Sequence, residues 1–542
     1  MLSLQQIGYH HPNKDLLFDN ISLNISTQQK IALIGNNGAG KSTLIRLIAG
    51  ELKPSGGTIK ADGRICYVPQ VYGGSYNNCS IAEALGIAPR LQALQAILAG
   101  DTREDNYTLL DDDWNIEERC REALDWWGLE HIDLNRKMDT LSGGQKTKVF
   151  LAAIRLHDPR IVLMDEPSNH LDVSARDKLY DYIRSTRHTL IVVSHDRFLL
   201  NLLPSVAELS SKGLTLYGGN YDFYTEQKAI KERALIEDMQ DKEKALRKAR
   251  DVERETIERQ QKMDARGRKK QEQAGLPTIS MNTFRNNAEQ STARLKDVHA
   301  AKTNMIVQDL QLLRQALPDK DKMKLGFDES ALHKGKILVT ATDVNYNYGQ
   351  GPLWQRPLNF QIRSGQRLAI KGCNGSGKTT LINMLTGLLQ PTAGNIDRAV
   401  FRVICLDQDY ALINNRLTIL DQARLFNTAH LQEHEIKSRL THFLFTNTYW
   451  DKPCGSLSGG EKMRLMLCCL SLGNDAPDMI VLDEPTNNLD IRNIDILTAA
   501  IKDYAGTLLV ISHDVHFTVQ SGVTHVMDLD QIRNTDWLYE LK

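Results

Sequence analysis

No apolar run in this chain is longer than a β-strand, so nothing in it reaches the roughly twenty residues that a membrane-crossing helix needs. If the chain worked in a membrane transporter, another chain would have to supply the membrane part. The N-terminus, beginning at Met1, has neither a basic stretch nor the apolar core of a secretion signal. The eight cysteines include no pair at zinc or thioredoxin spacing, and Cys468 and Cys469 are adjacent, which suits neither. They read as reduced thiols, and a cytoplasmic protein is expected. Charge of one sign is missing as well: 66 Lys and Arg face 67 Asp and Glu, a net charge of -1. A surface that binds nucleic acid over its whole extent is thereby excluded, and any basic face must be local. The 542 residues leave room for roughly three to four domains of average size.

Four ordered motifs, with a glutamine after the first of them, are present, each of them twice. The first half carries a glycine loop formed by Gly35, Asn36, Asn37, Gly38, Ala39, Gly40, Lys41, Ser42 and Thr43. A glutamine follows at Gln70, then Ser142, Gly143 and Gly144, then Asp165 with Glu166 at the end of an apolar run, then His195. The second half repeats the order with Gly372, Cys373, Asn374, Gly375, Ser376, Gly377, Lys378, Thr379 and Thr380. Gln408 follows, then Ser458, Gly459 and Gly460, then Asp483 with Glu484, then His513. A lone glycine loop is a weak signal, whereas four motifs in one order, repeated, are a strong one.

The chemistry follows from the residue types. Glycines let backbone N–H groups converge on phosphate oxygens at a helix N-terminus. Lys41 and Lys378 are placed to reach the β- and γ-phosphates of a nucleotide, and Ser42 and Thr379 offer a hydroxyl to Mg²⁺. Asp165 and Asp483 end strand-like runs and would hold the magnesium shell. Glu166 and Glu484 come next in the chain, placed to orient or polarise an attacking water. His195 and His513 each follow a short apolar strand and a serine, and a γ-phosphate contact is expected of them. Phosphoryl transfer asks mainly for positioning and charge stabilisation, which this set can provide.

Spacing locates an insertion. Lys41 and Lys378 lie 337 residues apart and Gln70 and Gln408 lie 338 apart, but Ser142 and Ser458 only 316 and His195 and His513 only 318. The first half is therefore longer between the glutamine and the serine–glycine motif, and residues 88–113 are the expected extra segment, either a lengthened loop or a small arm that meets a partner.

Between the halves the chain changes character. Thr225 to Gln273 contains no proline and one glycine, Gly267, and continuous helix over that stretch would be roughly 70 Å long. Gly275 and Pro277 break it, and a second run with Leu295, Val298, Met305, Leu310 and Leu313 follows. A long antiparallel helical hairpin is expected, its tip at 274–290. From Arg259 to Lys302 ten Lys and Arg face four Asp and Glu, a local excess on a chain that is nearly neutral. Arg266, Arg268, Lys269, Lys270, Phe284 and Arg285 are the candidates for RNA contact, since such groups pair with phosphates and stack on bases. The domain expectation is 1–222, 223–334 and 335–542.

The ordered motifs resemble those of the ATP-binding cassette superfamily over nearly the whole chain outside the hairpin. Two cassettes on one chain, no membrane segment, a charged helical linker and Tyr217, Gly218, Gly219, Asn220 and Tyr221 running into it resemble the ABC-F class. The resemblance implies an α/β fold: two P-loop ATPase domains, each a mixed sheet core with a helical subdomain, joined by the hairpin. It implies that the cassettes pair head to tail within a monomer, so that each ATP is held by one glycine loop and the opposite serine–glycine signature. Site one would combine Lys41, Ser42, Gln70, Asp165, Glu166 and His195 with Ser458, Gly459 and Gly460. Site two would combine Lys378, Thr379, Gln408, Asp483, Glu484 and His513 with Ser142, Gly143 and Gly144. The resemblance also adds Gln70 and Gln408 to the magnesium shell. An adenine-stacking aromatic is implied near the start of each cassette, Tyr348 in the second and Tyr9, ahead of His11, in the first. The class also implies a ribosome partner near the exit site, with the hairpin directed at P-site tRNA and the peptidyl-transferase centre. It leaves two roles open, translation factor or protection against an antibiotic. The rival readings are the ATPase subunit of a membrane exporter and a DNA-repair-type ATPase. A ribosome-recycling ATPase with an N-terminal iron–sulfur set is excluded, because the first cysteine is Cys66.

Overall fold

The computed structural model describes residues 1–11, 15–70, 76–210, 213–273, 297–298, 300–314, 333–349, 351–407, 410–473, 476–487, 489–531 and 538–540, with backbone alone for 264, 267–273 and 538–540. Two compact units result, one made of Met1–Tyr221 with Met323–Lys542 and the other of Asp222–Lys322.

Within the first unit the halves repeat one plan. In the first, a six-stranded sheet runs in the order Ile65–Val68, Ile161–Asp165, Thr189–Val193, Lys30–Ile34, Ser205–Ser210 and Gly213–Tyr217. All neighbours are parallel except the last pair. In the second half the order Val403–Leu406, Met479–Asp483, Thr507–Ile511, Arg367–Lys371, His525–Asp528 and Leu538–Glu540 has the same pattern. Strands buried on both faces need unbroken apolar runs. Ile161–Asp165 and Thr189–Val193 are buried at every residue, as is Thr507–Ile511.

A three-stranded antiparallel sheet covers each large one: Leu16–Ile25, Leu2–His10 and Gly56–Ala61 in the first half, Leu358–Arg363, Ile337–Asn345 and Ala393–Arg398 in the second. The register slips in each long central strand, between Leu4 and Ile7 and between Ala341 and Val344. There Gln6 and Asp343 take a φ of 50°, a bulge geometry that redirects the side chains beyond it.

The extra segment of the first half is two helices, Ala88–Leu98 and Glu104–Leu110. The second half passes from the helix Ile419–Leu425 directly to Glu433–His442. The acidic end of the insertion is tied to its own neighbours: Arg90 meets Asp111 at 3.2 Å and Arg119 meets Asp113 at 2.9 Å.

The unit Asp222–Lys322 holds most of a 53-residue helix, Tyr221–Gln273, which begins four residues before the stretch predicted from sequence. Residues 300–314 are also helical. Lys242 bonds Asp309 at 2.5 Å and Arg314 bonds Glu243 at 3.1 Å, which sets the two helices side by side. The expected tip at 274–290, with Phe284 and Arg285, lies outside the described residues, as do the side chains of Arg268, Lys269 and Lys270. Arg266 is exposed. Among the described residues no helix is long and apolar enough to cross a membrane.

Candidate nucleotide sites

The glycine loop, Gln70, Asp165, Glu166 and His195 of the first site gather at the carboxyl ends of the parallel strands, where open α/β sheets bind ligands. The strand Lys30–Ile34 runs into the glycine loop, and the loop into the helix Lys41–Ala49. Gly40 caps that helix with φ 94°, a conformation that L side chains avoid, and a Cβ there would sit 2.8 Å from the Phe18 ring. Gly377 does the same before Lys378–Thr386, with φ 93° and Leu353 at 2.7 Å. Neither helix has a side-chain cap, so their first N–H groups point into the loop, as an anion site requires. Lys41 Nζ donates to the carbonyls of Gly35 at 2.7 Å and Asn36 at 3.2 Å, and Lys378 Nζ to those of Gly372 at 2.6 Å and Cys373 at 3.0 Å. Each lysine thereby stiffens its own loop.

The acidic pairs lie beside these loops. Asp165 is buried, its carboxyl raised by desolvation and pulled back by a hydrogen bond from the Ser42 hydroxyl and by Lys41. Its Oδ1 has no hydrogen-bond partner. A buried carboxylate with a spare oxygen beside a hydroxyl is an all-oxygen donor set of the kind Mg²⁺ shares with phosphates, so the residues fit that ion. Gln70 lines the same cavity. Gln408 lies outside the described residues.

Glu166 and Glu484 sit at φ 50° and 48°, left-handed values rare for a residue with a side chain. Each is held by a backbone bond to the neighbouring strand: Glu166 N–H donates to Val193 O at 2.8 Å and Glu484 N–H to Ile511 O at 2.9 Å. That strand leads to the histidine. His195 Nε2 lies 3.4 Å from Glu166 Oε1, and His513 Nε2 lies 3.3 Å from Glu484 Oε1. Burial dominates both pairs. It pushes Glu166 up to about 8, with Asp165 adding to the rise and Lys41 opposing it. Glu484 rises to about 7, with Arg176 and Lys378 opposing. His195 falls to about 3 and His513 to about 4, again chiefly by desolvation. Both imidazoles are therefore neutral at physiological pH.

A cavity of about 470 Å³ opens on the first glycine loop. Its walls include Asn37, Lys41, Ser42, Thr43, Asp165, Glu166 and His195 from the first half and Gly459, Thr486 and Leu489 from the second. Ser458 and Gly460 are not in that lining. Ser458 caps the helix Gly459–Ser471, accepting from Glu461 N–H at 3.3 Å, and Gly460 packs against Asn493. At the other glycine loop, Asn374 Nδ2 donates to His170 O at 3.3 Å, and a Cβ on Gly144 would lie 3.4 Å from the same Nδ2. Gly143 packs on the His170 ring, and Ser142 is the matching helix cap, accepting from Gln145 N–H at 3.3 Å.

The two aromatics named for the first half take different places. His11, not Tyr9, lines the cavity. Tyr9 packs on both His11 and Phe18, ring centroids 5.9 Å and 6.3 Å apart. In the second half the Tyr348 hydroxyl meets that of Thr380 at 2.9 Å, beside the loop, and the ring is exposed.

Sequence reading missed the segments just after each acidic pair, Ser168–Asp172 and Thr486–Asp490, which reach across to the opposite half. Asp490 Oδ2 accepts the Asn37 N–H at 3.1 Å while its other oxygen caps the helix Ile491–Asp503 through Asn493 N–H at 2.8 Å. Arg176 Nη1 donates to His513 O at 3.2 Å, and Arg197 pairs with Asp495. The signal was present, since these segments also recur at the 318-residue interval.

Comparison with known proteins agrees with this geometry. The family model described as ABC transporter matches residues 18–169 and again 355–487. The ATP-binding protein Uup of Escherichia coli is 30% identical over 537 residues, covering 94% of this chain and 77% of that protein. The tylosin resistance ATP-binding protein TlrC of Streptomyces fradiae is 29% identical over 536 residues, covering 95% of this chain and 94% of that protein. Among solved structures, the complex of an archaeal ribosomal stalk protein with an archaeal ribosome recycling factor matches with a TM-score of 0.57 at 19% identity, over 96% of this chain and 87% of that one, a likeness of fold.

Proposed function

Because the chain belongs to the ATP-binding cassette family, in its ABC-F class of twin-cassette proteins, we propose that it binds two ATP molecules between its halves, hydrolyses them, and uses that cycle to engage and leave the ribosome. The observation that carries the reading is the cavity whose walls join the first glycine loop, the acidic pair and His195 to Gly459 of the opposite half. A site divided between two halves is complete only when they close, so nucleotide can govern the closed shape.

In the proposed reaction the loop N–H groups and Lys41 take the β- and γ-phosphates. Ser42, Gln70 and Asp165 would hold Mg²⁺, with Thr379, Gln408 and Asp483 as their counterparts. Bound Mg²⁺ supplies a charge sink for phosphate oxygens. Glu166 receives the proton of the attacking water as the water oxygen bonds to the γ-phosphorus. The bond from that phosphorus to the β–γ bridging oxygen breaks, and ADP leaves with the electron pair. A carboxylate raised toward neutrality is a competent base for this step. Neutral His195 and His513 each carry a single ring N–H, which can be donated to a phosphate oxygen.

The ribosome as partner is supported by the class and by the hairpin's local basic charge. The likeness to a tylosin resistance protein over nearly the length of both chains supports a protective role alongside that of a translation factor. The test is sedimentation of the Glu166→Gln, Glu484→Gln variant with cell extract and ATP. Migration with 70S ribosomes is expected; migration at the top of the gradient overturns the ribosome reading. Neutralising Arg266, Arg268, Lys269 and Lys270 in that variant should release it at lower salt, since each lost phosphate contact lowers the salt dependence. Ribosomes from drug-treated cells, with and without the protein, separate the two roles.

A further inference from the structure

The 318-residue interval that aligns the two halves pairs Arg176 with Ile494 and Arg197 with Val515. These are positions where the halves touch, and there the repeat fails. Arg176 lies in the first turns of the helix Val173–Ser185, capped by Asp172. Its Nη1 donates across to the backbone carbonyl of His513 at 3.2 Å, and its Nε is buried with no hydrogen-bond partner. The guanidinium stands within electrostatic reach of Glu484, His513 and His170. Ile494, its counterpart, is 3% exposed in the core of the second half and has no charge to offer the first site. What the second half lends there is the Asp490 carboxylate on the Asn37 N–H.

Resting on the ATPase reading above, we infer that Arg176 is a positioning residue of the second site, supplied by the opposite half, and that the first site has no equivalent. By holding the His513 carbonyl it fixes the turn that carries the imidazole, and so the placing of that ring against Glu484. The carbonyl contact exists only where the two halves meet, so His513 is fixed only in a docked pair. A guanidinium also adds positive charge where charge develops on the transferring phosphate oxygens. The first site relies on Lys41 and its own loop and faces a carboxylate from across the interface. The two hydrolysis steps are therefore inequivalent by construction: Asp172 stands in electrostatic reach of His513 as Asp490 does of His195, but only the second site also meets a cation from the opposite half.

The test isolates each site. In the Glu166→Gln background only the second site turns over, and in the Glu484→Gln background only the first. Single-turnover phosphate release with ATP and Mg²⁺ is measured for Arg176→Met in both. A fall of about tenfold or more in kcat is expected in the Glu166→Gln background, the scale of a lost charge-assisted hydrogen bond, with KM nearly unchanged. No change is expected in the Glu484→Gln background. Arg176→Lys should regain part of the lost rate, which a merely structural defect would not allow. An equal fall in both backgrounds, or none in either, overturns the inference. Absence of hydrolysis in both parent backgrounds and in the unmutated chain would instead sink the ATPase reading itself.

Discussion

Set the two sites side by side and their near-identical motifs stop predicting their surroundings. Each has a glycine loop closed by its lysine, a glutamate at φ near 50° and a neutral histidine about 3.4 or 3.3 Å away. Yet the first loop is met by the Asp490 carboxylate, while at the second site Asp172 stands in electrostatic reach of His513 and Arg176 adds a cation on the loop of that histidine. Asp172, the counterpart of Asp490, caps its helix through Ala175 N–H at 2.9 Å and turns its other oxygen to Lys148 at 3.5 Å within its own half. A repeat preserves what each half must do alone; it leaves free what the halves do to each other. The interface is where the duplicated halves differ, and the difference lies in charge.

The sharpest way to strain the comparison is to remove one glutamate at a time. Glu166→Gln and Glu484→Gln should each silence one site, with a fall of roughly a hundredfold or more at that site, the scale of a lost general base. If single-turnover phosphate release falls to the same residual level in either single variant as in the double, the sites do not turn over separately and the contrast drawn here collapses. A smaller effect separates the two aspartates. Asp490→Ala and Asp172→Ala each lose a helix cap, about 1 kcal/mol by thermal melting. Only Asp490→Ala should also weaken ATP binding at the first site, severalfold by nucleotide titration in the Glu166→Gln background, because only Asp490 holds the Asn37 N–H. Equal effects of the two variants on that affinity would mean the cross-contact is idle. Smallest is the hairpin: Lys242→Met removes an ion pair whose partners are 43% and 41% exposed, so denaturant unfolding should move by less than about 1 kcal/mol.

Much of the site was legible because its determinants are local. Gly40 and Gly377 must be glycine at their φ, Lys41 and Lys378 must follow them, and the apolar runs before Asp165 and Asp483 must be strands. The long helix followed from the lack of proline and the apolar spacing along it, whereas the sheets were expected from the family resemblance. The choice between Tyr9 and His11 depends on register, and the bulge at Gln6 breaks the alternation of the strand Leu2–His10 before either is reached. The roles of Arg176, Asp490 and Arg197 were illegible for another reason. Their partners lie roughly 300 residues or more away in sequence and are chosen by how two finished domains dock, which no short pattern encodes. Laying one half over the other at the 318-residue interval would have exposed Arg176 and Arg197 as charged positions where the repeat fails, while Asp490 falls on Asp172 and shows no difference.

The left-handed backbone at Glu166 and Glu484 has a consequence for how such a protein can change. A side chain at that φ costs on the order of 1–3 kcal/mol, and burying a carboxyl beside an aspartate adds to the cost. Two of these positions make a chain that is less stable than its fold allows, held there by the need for turnover. Glycine at either position relaxes the backbone and removes the buried acid. Glu166→Gly should therefore melt at a higher temperature than the unmutated protein while losing the first site, and a lower melting temperature would show that the turn is not strained. Variants selected for heat resistance alone would drift toward that inert form, one site at a time.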